Sequence, residues 1–248
     1  MSKLFNCFLF MMMLSVTMKA QSVSVAPSRF YYKVNPGESK SQTLKVTNSS
    51  KTKQSFQITF GDFAAPGSAG KSTLMKAGES ENSLAKYISA NPAFFELEAG
   101  QSRDVQILLE LPNLPESNKV KWGTILIKLV KEKSAANMGE KNGVGMGIIE
   151  TFQFVVHVFQ TPPSVTFKQA EIVSLKQTAG KTPSDKAISI LTKNTGEAIL
   201  DCAALLQLVN LTTGKNERIK PMGLTVLPGG AREVTFTLPP SLEKGKYT

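Results

Sequence analysis

The chain has 248 residues, 41% of them hydrophobic, and a formal net charge of +10. That length holds two domains of ordinary size and that composition is globular, which excludes a disordered or fibrous protein. One histidine (His157) and two cysteines (Cys7 and Cys202) are too few for a zinc site, and no cofactor fingerprint is present.

Residues 1–20 read as a secretion signal. Lys3 makes a positive start, Leu4 to Met18 is almost wholly apolar but short for a bilayer, and Lys19-Ala20-Gln21 offers a small residue at the cut. A membrane anchor is the other reading of this segment. Past it, no stretch has the length or apolarity of a transmembrane helix. The mature chain loses Lys3 and Lys19, so its net charge is +8, from 27 basic and 19 acidic residues. Its cations are spread without a dense block. In an exported protein such a surface suits cell-wall polymer better than nucleic acid. Cys202 remains as the lone cysteine, so no internal disulfide forms. Beside Ala203-Ala204-Leu205-Leu206 it reads as a small buried residue.

A first domain, 21–162, opens with strands at 22–25 and 27–32, followed by 42–48 and 55–60. Residues 61–83 look irregular, a surface excursion rich in Gly, Ser and Ala. A helical turn at 83–88, capped by Asn82 or Ser83, is broken by Asn91-Pro92. Strands at 94–97, 105–111 and 123–130 come next, with Trp122 plugging the core beside Gly123. The Gly-rich segment 134–147 reads as a mobile loop, and 152–159 as a strand. Thr161-Pro162-Pro163 is the best boundary, because two prolines end the strand and stiffen the link. A second domain, 163–248, holds strands near 170–177, 187–193, 203–210 and 233–238. It is short for its class, and Gly245-Lys246-Tyr247 looks like the opening of another strand, so the domain reads as incomplete.

One short pattern recurs along the chain. Pro36-Gly37-Glu38-Ser39-Lys40, Ala99-Gly100-Gln101-Ser102-Arg103 and Pro228-Gly229-Gly230-Ala231-Arg232 each combine a glycine turn with a cation, and each leads into an alternating run. Glycine permits the tight turn, and alternation gives a strand with one buried face. The fold class expected is all-β, two immunoglobulin-like β-sandwich domains after a signal peptide.

Chemistry is sparse. Ala65-Pro66-Gly67-Ser68-Ala69-Gly70-Lys71-Ser72 matches a relaxed phosphate-loop spelling, but Gly78 comes too soon for the helix such a loop must start. A hydrolytic triad would have to use His157, which lies mid-strand with no nucleophile-elbow sequence in the chain. Carboxylates are scattered, so no catalytic residue is assigned and no enzyme is expected. The strand Phe152-Gln153-Phe154-Val155-Val156-His157-Val158-Phe159 is more informative. Phe152, Phe154, Val156 and Val158 face one way, and no lysine, acid or proline blunts its edge. It reads either as a paired core strand or as an edge that accepts a partner strand.

These residues carry a family resemblance. Ser28-Arg29-Phe30-Tyr31-Tyr32, Pro36-Gly37, Leu44 to Asn48, Ala90 to Arg103, and Val155 to Phe159 running into Pro162 make residues 22 to about 163 similar to periplasmic pilus-assembly (PapD-like) chaperones. The resemblance implies two immunoglobulin-like domains and capture of a pilin-like subunit by β-strand addition, in the periplasm or at the cell surface. It implies that Arg29 anchors the subunit's terminal carboxylate. The family's second anchor, a lysine, falls on His157 when counted back from Pro162. The implied partner-binding residues are Arg29, Phe152, Phe154, Val156, His157 and Val158. The alternative is a structural or adhesive envelope protein whose partner is cell-wall polymer or another surface protein.

Overall fold

The computed structural model describes residues 23–130, 152–180, 182 and 185–248. The expected secretion signal, Cys7 and the glycine-rich segment 134–147 lie outside the described residues.

The N-terminal strands are β1 (Val23–Ala26), β2 (Arg29–Tyr32), β3 (Ser39–Asn48), β4 (Gln54–Ala64), β5 (Thr73–Met75), β6 (Ile88–Asn91), β7 (Phe94–Leu97), β8 (Ser102–Glu110), β9 (Lys121–Val130) and β10 (Gln153–Gln160). They form two sheets. One has the order β1-β3-β8-β6, the other β2-β10-β9-β4-β5, with β7 also on β4. Alternation decides which faces meet. Leu44 and Val46 of β3 and Val105, Ile107 and Leu109 of β8 point inward from the first sheet. Phe56, Ile58, Ile125, Ile127, Val156 and Val158 meet them from the second. Fully burying each such side chain is worth about 1.5–3 kcal/mol. Tyr32 is buried too, its hydroxyl donating to the Ile107 carbonyl at 2.9 Å.

The C-terminal strands are β11 (Ala170–Ala179), β12 (Lys186–Asn194), β13 (Leu200–Ala204), β14 (Gln207–Val209), β15 (Asn216–Arg218), β16 (Met222–Val226) and β17 (Ala231–Thr237). They share no ladder with the first ten. β11-β12-β17 is a three-stranded sheet, and β13-β16 and β14-β15 are two-stranded ribbons. Ile190, Val234 and Phe236 from the sheet pack on Leu200, Leu208, Leu224 and Val226 from the ribbons, a second sandwich core. A third cluster joins the two halves. Phe63, Val120, Trp122 and Phe159 contribute from the N-terminal side, and Ile199, with Val165 and Leu227 against it, from the other.

The two sandwiches repeat one joint. β3 ends at the buried Asn48, whose N–H donates to the Gln101 carbonyl and whose carbonyl accepts from the Gly100 N–H, both at 2.8 Å. β12 ends at the buried Asn194, whose N–H donates to Gly230 at 2.9 Å and whose carbonyl accepts from Gly229 at 3.1 Å. Gly100 and Gly229 have φ of 76° and 72°, a region open to glycine and costly for other residues. The recurring glycine turns of the sequence are therefore clips that fasten the ends of neighbouring strands.

Several expectations are corrected. Residues 61–64 continue β4, and Asp62 to Ala64 pair with β5, so the stretch 61–83 is a hairpin in part. A Cβ on Gly61 would sit 3.0 Å from the Met75 carbonyl oxygen, so glycine is what lets the hairpin close. The helical turn is a 3-10 turn at Ala85–Tyr87 with Leu84 at its N-cap and no side-chain cap. Ser83 donates instead to the buried Asp62 at 2.8 Å. The strand expected at 203–210 is split between β13 and β14, which belong to different ribbons. Cys202 is exposed, because the β13-β16 ribbon is two strands wide and leaves that position uncovered. Trp122 plugs the junction cluster and not the main core, its Nε1 donating to the Phe63 carbonyl at 3.0 Å.

Candidate functional site

β10 is asymmetric. On one side β9 pairs along all of it, from Gln153↔Lys128 to Gln160↔Lys121. On the other, β2 runs parallel to it and covers only His157 to Gln160, opposite Arg29 to Tyr32. Among the described residues nothing pairs with Gln153 to Val156 on that side. The His157 N–H donates to Ser28 and the Thr161 N–H to Tyr32, so odd-numbered residues present their backbone groups toward β2. By strand alternation Gln153 and Val155 aim theirs at the open edge. The Phe152 carbonyl, of the other parity, accepts from Leu129 on β9 at 3.2 Å.

The six residues singled out from the sequence fall in three environments. Phe152 is exposed ahead of β10, and Phe154 is half-buried against the main core. Val156 and Val158 point into that core, so neither side chain meets an incoming partner. Val158 is also flanked on both edges, by Phe30 and Gly123. Arg29 and His157 are register partners where β2 begins, and both line a cleft of about 320 Å³ between the two halves.

Residues far apart in the chain build the cleft walls. Arg29 Nη1 donates to Thr225 Oγ1 at 2.9 Å, and that hydroxyl donates to Asp201 Oδ1 at 3.1 Å. The His157 ring stands edge-on to Phe63, centroids 4.7 Å apart, and lies stacked beside Phe159 at 6.2 Å. Its Nε2 is 3.3 Å from the Ser72 hydroxyl. Burial first, and then the Arg29 charge, lowers the imidazole's pKa, so the ring is neutral at pH 7. No carboxylate hydrogen-bonds to it among the described residues, so a triad would lack its orienting group. No helix among the described residues is long and apolar enough to cross a membrane.

The phosphate-loop spelling resolves into a different object. Residues 65–72 follow a strand and lead into β5, with no helix to bind a phosphate. The segment instead reaches the C-terminal half, where the Ser68 carbonyl accepts from the Glu233 N–H at 2.8 Å. Asp201 and Thr225 were not singled out from sequence, whereas the loop spelling named Ser72 and the recurring glycine turn named Arg232, each for another reason.

No protein-family model matches this chain, and no curated protein matches it. Solved structures do. The chaperone DraB of E. coli is 17% identical, with 91% of this chain and 88% of that one covered at a TM-score of 0.46. The SafB chaperone of Salmonella enterica, solved with the SafA pilin, is 16% identical over 90% of this chain and 86% of that one, TM-score 0.45. The CupB2 chaperone of Pseudomonas aeruginosa is 13% identical over 86% of each chain, TM-score 0.44.

Proposed function

We propose that this is a non-enzymatic, exported, chaperone-like protein that takes up a strand of another envelope polypeptide, pilin-like in character, on the free edge of β10. One observation carries the reading: β2 covers β10 only from His157 onward. Among the described residues the backbone groups of Gln153 and Val155 on that side have no ladder partner, and an unpaired edge is the requirement for β-augmentation. Phe152 and Phe154 flank this edge with apolar surface. A strand laid parallel to β10 along 153–156 would run in line with β2 and end where β2 begins. Its terminal carboxylate would then enter the cleft at Arg29, which is not ion-paired among the described residues. The same reading divides the chain into a capture domain, 21–162, and a second domain, 163–248, that closes the cleft, with the site facing the periplasm.

A peptide of alternating valine and threonine with a free C-terminus tests it. The peptide binds the mature chain, and Arg29→Ala weakens that binding several-fold by removing a charge-assisted contact. Unchanged affinity in Arg29→Ala would remove the anchor from this account.

A further inference from the structure

We propose that β11 is a self-pairing edge, and that two copies of this chain join their C-terminal sheets through it, antiparallel about a two-fold axis between Val173 and Ser174. This contact is independent of strand capture on β10. β11 is the outer strand of the sheet β11-β12-β17, and among the described residues it is paired to β12 alone. None of its ten residues is buried, and none is proline. Ile172 and Leu175 lie opposite Thr192 and Ile190 of β12, so they share the face that carries Ile190 into the second core. That core stops at β12, and the two side chains are 65% and 59% exposed. An apolar pair on the inner face of an open edge is a template for another strand.

Backbone, face and charge each fit the strand to a copy of itself. The Gly180 N–H donates to Asp185 and the Gln169 carbonyl accepts from Thr195, so positions 169 and 180 turn these groups toward the β12 side. Alternation from either end sends the groups of Ala170, Ile172, Leu175 and Gln177 to the open edge, and the bulge between Ile172 and Ser174 absorbs the odd residue. About the proposed axis, Ala170 meets the partner's Gln177 and Ile172 meets the partner's Leu175, so free backbone groups face free backbone groups. These four residues also share the inner face, opposite Asn194, Ile188, Thr192 and Ile190. Ile172 and Leu175 of both copies therefore form one apolar cluster across the axis. On the outer face Glu171 meets the partner's Lys176, twice over by symmetry. Glu171 and Lys176 are the only charges on β11, and neither is in an ion pair among the described residues. Opposite charges directly across a strand pair stabilise it, and like charges weaken it. The contact is isologous and closes at two copies, joining two three-stranded sheets into one.

Sedimentation velocity of the mature chain over a concentration series tests this. The parent passes from monomer to dimer as concentration rises. Lys176→Glu sets two like-charge pairs across the axis and weakens the dimer about tenfold. Glu171→Lys combined with Lys176→Glu restores it, because both pairs re-form with their signs exchanged. Leu175→Pro removes an N–H from the open edge, leaves the ladder to β12 intact and abolishes the dimer. All three positions are exposed, so the charge variants keep the fold whatever the proline does. A chain that stays monomeric at every concentration overturns the proposal and leaves this edge to a different polypeptide. A dimer indifferent to both Lys176→Glu and Leu175→Pro overturns it too, and one that the alternating peptide then disperses lies on β10 instead. A dimer sensitive to both substitutions in a chain that binds no alternating peptide upholds β11 and sinks the strand-capture reading alone.

Discussion

His157 is the chain's single histidine, so its titration can be read without interference from another imidazole. Its ring is wedged between Phe63 and Phe159 and faces the Arg29 charge, both of which favour the neutral form. The sign of the pH effect follows. The folded-state pKa lies below the value of about 6.5 expected in the unfolded chain. As pH falls below that value, the unfolded chain takes up a proton that the folded one refuses. The stability His157 lends is present above about 6.5 and is lost as pH falls through the folded value. His157→Phe keeps an aromatic ring and removes the titration. Denaturation midpoints measured between neutral and mildly acidic pH should fall less steeply in that variant than in the parent. Equal slopes would mean that the imidazole titrates freely.

At the scale of elements, β10 belongs to the core and to the surface at once. Its side chains at 156 and 158 are fixed in the sandwich, while the backbone at 153 and 155 is unclaimed among the described residues. Val155→Pro separates these roles. Proline removes an N–H on the open side only, which is where strands tolerate it, and leaves the ladder to β9 intact. The variant should fold, with near-parental circular dichroism, and bind the alternating peptide about tenfold or more weakly, since it loses one ladder bond and gains a clash with the incoming strand. Unaltered binding would mean that the peptide docks elsewhere. Much at this scale was legible beforehand. The long alternating strands β3, β8, β9 and β17 and the glycine clips at 37, 100 and 229 follow from residue type, because only glycine suits their φ of 82°, 76° and 72°. The ribbons β13 to β16 were not legible. They are three to five residues long, too short for alternation to register, and Cys202 and Leu205 stay exposed within the apolar run that suggested burial.

Across the whole molecule, the proposed site lies where the two halves meet. The junction cluster around Trp122, Phe159 and Ile199 holds the C-terminal half against the N-terminal sheet, and the cleft opens beside it. Arg29 and Thr225 are 196 residues apart yet hydrogen-bonded, so no local pattern could have paired them. The sequence did mark Arg29 and β10, through the resemblance and the unblunted apolar strand. Thr225 and Asp201 went unread because their meeting with Arg29 depends on packing between halves. The central claim is that β10 keeps a free edge for a partner strand, and amide hydrogen exchange resolved to single residues tests it most directly. In the free protein the N–H groups of Gln153 and Val155 should exchange fast while that of Val156, turned to β9, is protected; adding the alternating peptide should slow the first two. Gln153 and Val155 already protected in the free chain, or unaffected by the peptide, would contradict the account.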